Sequence, residues 1–83
     1  MSPELETLDQ LLGGDLPLPV VRGLFEDGDR CAHALTVMLE VGELRLLEAD
    51  GTDVPKRRWR EVLNANAAST RVAITKAGVK RIA

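Results

Sequence analysis

Apolar and polar residues recur along the chain with two periods, which together predict a mixture of helices and short strands. The strongest pattern covers residues 30–42 (RCAHALTVMLEVG), where apolar side chains surround most of a helical circumference and Gly42 provides a stop. A helix this apolar is predicted to lie at the centre of the core. We expect Cys31 to be a small buried side chain and His33 to lie at the surface, because they fall on different helical faces.

The N-terminal residues 1–14 form a shorter amphipathic pattern. Ser2 is placed to cap a helix that has Pro3 at its first position. Leucines then repeat at helical spacing until Gly13-Gly14 ends the pattern. An acidic helix of this kind either covers its own domain or docks onto a partner or a second copy. The residues predicted for such an association are Leu5, Leu8 and Leu12.

Two further short helices are predicted, one on each side of the apolar helix. The first spans residues 19–25, and Asp29 after it is expected to cap the apolar helix. The second spans residues 76–83 (KAGVKRIA), with Thr75 as its cap and Val79 on its inward face.

Strand patterns are found in two places. Residues 71–75 (RVAIT) alternate between apolar and polar positions, as a half-buried strand does. Residues 43–57 are compatible with two structures. One is a β-hairpin that turns at the Asp-Gly pair 50–51, which is slightly favoured, and the other is a short strand followed by a helical turn.

A basic helix is predicted over Pro55–Asn64 (PKRRWREVLN), because proline suits the first turn of a helix. Trp59, Val62 and Leu63 share the side that would face the core. The four cations at 56–58 and 60 crowd the first turn, where the helix dipole makes each unfavourable by roughly 0.3–1 kcal/mol. A bound anion, such as a nucleic-acid phosphate, would make this placement favourable.

The core is predicted to be almost entirely aliphatic, since Phe25 and Trp59 are the only aromatic residues. The apolar positions of the helices and strands above should meet in one cluster. Its predicted members are Leu35, Met38, Leu39, Trp59, Val62, Leu63, Val72, Ile74 and Val79.

The net charge of −2 conceals a division between the two halves of the chain. Residues 1–53 hold twelve acidic and three basic side chains, a net charge of −9, whereas residues 54–83 hold eight basic and one acidic, a net charge of +7. Such asymmetry favours an interaction with nucleic acid or another polyanion. The alternative is that the halves fold onto each other and neutralise internally.

Sequence signatures of catalysis and of metal sites are lacking. The 83 residues contain no glycine-rich phosphate loop, no paired cysteine motif and no His-Glu-x-x-His arrangement. A single cysteine allows no internal disulfide. We therefore predict one non-enzymatic domain with no cofactor, metal or small-molecule substrate. The sequence shows no leader pattern and no apolar run long enough for a membrane span, which predicts a cytoplasmic protein.

The order of the predicted elements over residues 30–83, and the phrase Ile74-Thr75-Lys76-Ala77-Gly78, resemble a winged-helix DNA-binding domain. The resemblance implies an α+β fold, with three to five short helices and a small antiparallel sheet or hairpin. It also implies that Pro55–Asn64 is the recognition helix and that Asn64–Arg71 forms the wing region.

These observations predict a DNA-binding transcriptional or accessory regulator that contacts phosphates through the basic helix and the basic C-terminal segment. The alternative is a protein–protein adaptor that uses its acidic and basic surfaces, and a homodimer is compatible with either function. The residues predicted to contact nucleic acid are Lys56, Arg57, Arg58, Arg60, Asn64, Arg71, Lys76, Lys80 and Arg81.

Overall fold

Five α-helices and three short strands make up residues 2–83, the part of the chain that the computed structural model describes. Met1, which belongs to the predicted N-terminal segment 1–14, lies outside the described residues. No helix within residues 2–83 is long and apolar enough to cross a membrane. In chain order the elements are α1 (Pro3–Leu11), β1 (Leu16–Pro17), α2 (Leu18–Arg22), α3 (Gly28–Glu40), β2 (Leu44–Leu47), a 3-10 turn (Lys56–Arg58), α4 (Trp59–Ala65), β3 (Arg71–Ile74) and α5 (Lys76–Ile82).

The three strands form one antiparallel sheet in the order β1-β3-β2. The central strand β3 pairs Val72 with Leu16 of β1 on one side and with Leu46 of β2 on the other. Pro17 is tolerated because β1 is an edge strand, where a missing N–H breaks no central ladder. The α+β class predicted from the sequence is confirmed, and this architecture is consistent with a small winged-helix-like fold.

The hairpin predicted within residues 43–57 is confirmed. After β2 the chain turns at Gly51, which has a φ of +87°, and Asp53 returns to form a bridge with Leu47. The Val54 N–H donates to the Leu46 carbonyl at 2.8 Å, which continues the pairing by one more step. After Val54 the chain enters the 3-10 turn at Lys56.

Side-chain caps fix three of the helix starts. Ser2 accepts from the Leu5 N–H and Thr75 accepts from the Gly78 N–H, both at 3.2 Å, so these two predicted caps are confirmed. The prediction for α3 is wrong, because Asp27 rather than Asp29 accepts from the Arg30 N–H, at 2.8 Å. Asp27 has the extended backbone that a cap requires, and Asp29 instead adds negative charge within the first turn.

The core draws on both halves of the chain. Trp59 and Ile74 are half-buried, and the prediction for Val79 is wrong, since it is 39% exposed. Leu8, Leu11, Leu18 and Val21 of the N-terminal half are also buried, although they are not among the predicted members of the core cluster. The predicted core residues confirmed as buried are Leu35, Met38, Leu39, Val62, Leu63 and Val72.

Gly78 explains why Val79 faces outward. A Cβ atom built on Gly78 would overlap the Glu43 carbonyl oxygen and lie 2.7 Å from Ile74 Cγ1. Helix α5 therefore approaches the start of β2 at Gly78, the residue of this helix that has no side chain. This close contact turns the neighbouring Val79 toward solvent.

Cys31 and His33 occupy the positions on α3 that the sequence predicts. Cys31 is buried, and its burial raises the thiol pKa to about 11. His33 is exposed. Both predictions are confirmed, and the cysteine is a small core side chain rather than a reactive thiol.

Candidate nucleic-acid interface

The basic segment, residues 55–64, consists of a 3-10 turn followed by a short α-helix. Pro55 is extended and accepts from the Arg58 N–H at 2.8 Å, which closes the 3-10 turn that carries three of the cations. Helix α4 follows and has only seven residues. The helix predicted over Pro55–Asn64 is thus confirmed from Trp59 onward, whereas its first turn is a 3-10 turn. The cations at 56–58 therefore lie in the 3-10 turn directly before the N-terminus of α4.

Trp59 fixes the orientation of this segment. Its indole Nε1–H donates to the Val54 carbonyl at 3.0 Å, and its ring packs against the core. Val62 and Leu63 on the same helix are buried, so α4 is held on α3 through its apolar side. The opposite side of the segment, with its cations, is left toward solvent.

Three cations of this segment remain unpaired. Lys56, Arg57 and Arg60 are exposed, and none of them forms an ion pair with any residue of the described chain. Lys56 Nζ lies 5.9 Å from the centroid of the Trp59 ring. Asn64, one turn after Arg60, is also exposed. Four of the predicted contact residues therefore lie together on one short segment.

Three other predicted contact residues form ion pairs with acidic side chains. Arg58 Nη1 lies 3.1 Å from Glu48, and its other amino group lies 3.6 Å from Glu61. The remaining two pairs, each at 2.7 Å, are Arg71 with Asp15 and Arg81 with Glu43. Internal neutralisation of the two halves therefore accounts for these three arginines.

Lys76 and Lys80 lie on a different helix, α5. Both are exposed on α5, and neither forms an ion pair within residues 2–83. Helix α5 packs against α1 and β3, whereas α4 packs against α3. The cations of the C-terminal half are thus split between two places in the fold.

The basic segment lies in the connection between β2 and β3, which are direct neighbours in the sheet. This is the order of strand, basic segment and strand that the sequence predicts. Residues 64–71 run from the last turn of α4 to the first residue of β3. The roles that the winged-helix resemblance implies, Pro55–Asn64 as the recognition helix and Asn64–Arg71 as the wing region, stay predictions.

A cleft of about 460 Å³, which we call the α3–α4 cleft, lies between the exposed side of the basic segment and α3. Charges of both signs meet there, because one wall is basic and the other carries carboxylates. The basic segment forms one wall and contributes Lys56, Trp59, Arg60, Leu63 and Asn64. The α3 wall consists of Asp29, Ala32, His33, Thr36 and Glu40, which the sequence analysis did not connect with the site.

A larger groove of about 700 Å³, which we call the α1–α3–α5 groove, lies beside α1, α3 and α5. Its floor is mainly apolar. Both of its arginines are paired, Arg30 with Glu26 at 3.7 Å and Arg81 with Glu43 at 2.7 Å. Its lining residues are Pro3, Glu4, Phe25, Glu26, Asp29, Arg30, His33, Ala34, Val37, Met38 and Arg81.

The leucines considered for association lie mostly within the chain's own core. Leu8 is fully buried and Leu5 packs against the core, so both are occupied by intramolecular contacts. Leu12 is 52% exposed. The α1 stripe therefore covers its own domain, and only Leu12 is available at the surface for a second copy.

No family model, curated protein or solved structure matches this chain.

Proposed function

We propose that this protein is a non-enzymatic nucleic-acid-binding module that holds phosphates through Lys56, Arg57 and Arg60. The observation that carries the proposal is that these three cations remain exposed and unpaired, although the same chain neutralises Arg58, Arg71 and Arg81 with its own acids. Three unpaired cations within five residues form a compact site for a polyanion.

Phosphates of a nucleic-acid backbone suit this site. Each phosphate that a lysine or arginine neutralises releases counterions, which favours binding at low salt and makes the affinity salt-dependent. The anchored indole of Trp59 keeps the basic segment on α3, so the cations project from a fixed base. Lys76 and Lys80 supply a second, separate contact for a longer strand.

The excess of acidic side chains elsewhere in the chain confines phosphate binding to the basic segment and to Lys76 and Lys80. The chain as a whole carries a net charge of −2, so its overall charge does not attract phosphates. At physiological salt, exposed charges more than about 8 Å apart are largely screened from each other. The basic segment can therefore bind a polyanion locally in a protein that is acidic overall. A DNA-binding regulator, acting in transcription or as an accessory factor, is the function we propose.

The affinity for DNA of charge-matched variants tests this proposal. A fluorescently labelled oligonucleotide is titrated with the parent, with Arg57→Gln/Arg60→Gln and with the control Arg22→Gln/Arg30→Gln, while anisotropy is measured at low salt. Both variants lose two positive charges. We expect the first to bind about tenfold or more weakly than the parent and the control to change by less than about threefold. Equal losses in the two variants, or no binding by the parent, would overturn the proposal.

A protein–protein adaptor is the second candidate, and the α1–α3–α5 groove favours it. Val37 on its floor is 47% exposed, and its rim bears Glu4 and Asp29, which form no ion pair within the described residues. The chemistry of this groove suits an amphipathic helix with basic flanks. An adaptor of this kind would bind such a peptide and would show no affinity for DNA at low salt.

A further inference from the structure

The α3–α4 cleft combines an aromatic ring with unpaired cations. Trp59 lines it between Lys56 and Arg60, and the indole is half-buried, so part of the ring is accessible from the cleft. The volume of the cleft, about 460 Å³, falls within the range of about 300–1,000 Å³ that small-ligand sites occupy. An aromatic surface beside cations is the combination that binds single-stranded nucleic acid.

A lysine of the same segment lies over the ring of Trp59. Lys56 Nζ lies 5.9 Å from the ring centroid, near the limit of about 6 Å for a cation–π contact. Such a contact at an exposed site is weak, and the flexible lysine can move from the ring to a phosphate. The indole itself cannot turn away, because its Nε1–H is held by the Val54 carbonyl.

The charges of the cleft give a bound strand one orientation. Asp29 and Glu40 on the α3 wall repel phosphates, whereas Lys56 and Arg60 on the opposite wall attract them. A strand therefore keeps its backbone on the side of the basic segment and directs a base toward α3. His33 and Thr36 are also part of the α3 wall.

We propose that the α3–α4 cleft binds single-stranded nucleic acid, with one unpaired base stacked on Trp59 and the adjoining phosphates on Lys56 and Arg60. This inference rests on the proposed function and specifies its ligand. A duplex cannot use the cleft in this way, because its bases are already stacked on one another and must leave the helix to reach the ring. Stacking requires only a π face, so the site tolerates any base.

Trp59 is the only tryptophan of the chain and therefore reports directly on its own stacking. Three probes are titrated separately into the full chain at low salt: an oligothymidylate of about a dozen nucleotides, an abasic phosphodeoxyribose strand of the same length, and a duplex of the same length. Tryptophan emission and the anisotropy of a label on each probe are recorded together. Emission measures contact with the ring, and anisotropy measures binding of any kind.

We expect oligothymidylate to quench Trp59 and the abasic strand to bind without quenching it. One stacked base should make oligothymidylate about five- to 150-fold tighter than the abasic strand. Equal affinity for the two strands, or tighter binding of the duplex without quenching, would overturn the inference and leave the proposed function standing. Failure of all three probes to bind would overturn both.

Two variants at Trp59 separate stacking from folding. Trp59→Phe retains an aromatic face and should keep the preference for oligothymidylate over the abasic strand. Trp59→Leu removes that face and should abolish the preference. Because the indole also packs against the core, the affinity of Trp59→Leu for the abasic strand serves as its control. An unchanged abasic affinity shows that the phosphate contacts are intact, and a preference that persists in this variant would contradict the stacking role.

Discussion

Arg71 donates two hydrogen bonds to Asp15, one from Nε to Oδ2 at 2.7 Å and one from Nη2 to the carbonyl oxygen at 3.0 Å. The pair joins the central strand β3 to the residue before the edge strand β1, although 56 positions separate them in the chain. A guanidinium held at two acceptors has little freedom to contact a phosphate as well. Arg71 is therefore a structural residue of the sheet.

Replacing Arg71 should weaken folding without weakening nucleic-acid binding. Arg71→Gln removes the ion pair with Asp15, so we expect a lower midpoint of urea denaturation. Its affinity for a labelled oligonucleotide should stay within about twofold of the parent. A variant with the parent's denaturation midpoint and a clearly weaker affinity would show that Arg71 contacts the ligand after all.

The same pair predicts a pH dependence. The hydrogen bond from Arg71 lowers the pKa of Asp15, and the hydrogen bond from Arg45 lowers that of Asp53. Folded-state pKa values below the unfolded value of about 3.9 mean that these carboxylates stabilise the fold above that pH. That stability is lost as the pH falls through the folded values.

Urea midpoints measured from about pH 7 down to about pH 2.5 test this dependence. Asp15→Asn should be less stable than the parent at neutral pH, and the difference should narrow below about pH 4. A difference that stays constant over the whole range would show that the charge of Asp15 contributes nothing.

Two leucines of α1 should respond very differently to truncation. Leu8 is fully buried, so Leu8→Ala should cost about 2–5 kcal/mol of the free energy of unfolding. Leu12 is 52% exposed, and Leu12→Ala should change it by no more than about 0.5 kcal/mol. Thermal and urea denaturation of the two variants measure these changes in the free energy of unfolding. Similar losses in the two variants would show that Leu12 is buried in solution, as a second copy packed on α1 would require.

Gly78→Ala should destabilise the protein, although alanine is the better helix former by about 1 kcal/mol. The added Cβ would overlap the Glu43 carbonyl oxygen, and overpacking of this kind costs about 1–3 kcal/mol. Gly13→Ala is the control, because its nearest new neighbour is the Gln10 carbonyl oxygen at an ordinary 3.8 Å. A higher denaturation midpoint for Gly78→Ala than for Gly13→Ala would contradict the close packing of α5 on residue 43.

Local patterns were sufficient to predict much of the fold. The apolar helix α3, the caps at Ser2 and Thr75 and the turn near Gly51 each depend on residues that are close in sequence. Helix periodicity, capping and turn formation act over a few residues, so a single sequence reveals them.

Contacts between distant residues could not be predicted in this way. Nothing near Arg71 in sequence indicates that Asp15 will neutralise it, and nothing near Trp59 indicates that His33 and Glu40 form the facing wall of a cleft. Val79 was predicted to face inward from its spacing alone. Its exposure follows from the contact of Gly78 with β2, which only the folded chain reveals.

The salt dependence of binding tests the central claim, that Lys56, Arg57 and Arg60 hold nucleic-acid phosphates. The association constant of the parent and of Arg57→Gln/Arg60→Gln is measured for oligothymidylate over a series of salt concentrations. Each lost contact should reduce the slope of log K against log salt by about 0.7 on a single strand, so the double variant should be flatter by about 1.4. A slope that is the same in the parent and the double variant would contradict the claim, because the two arginines would then neutralise no phosphate.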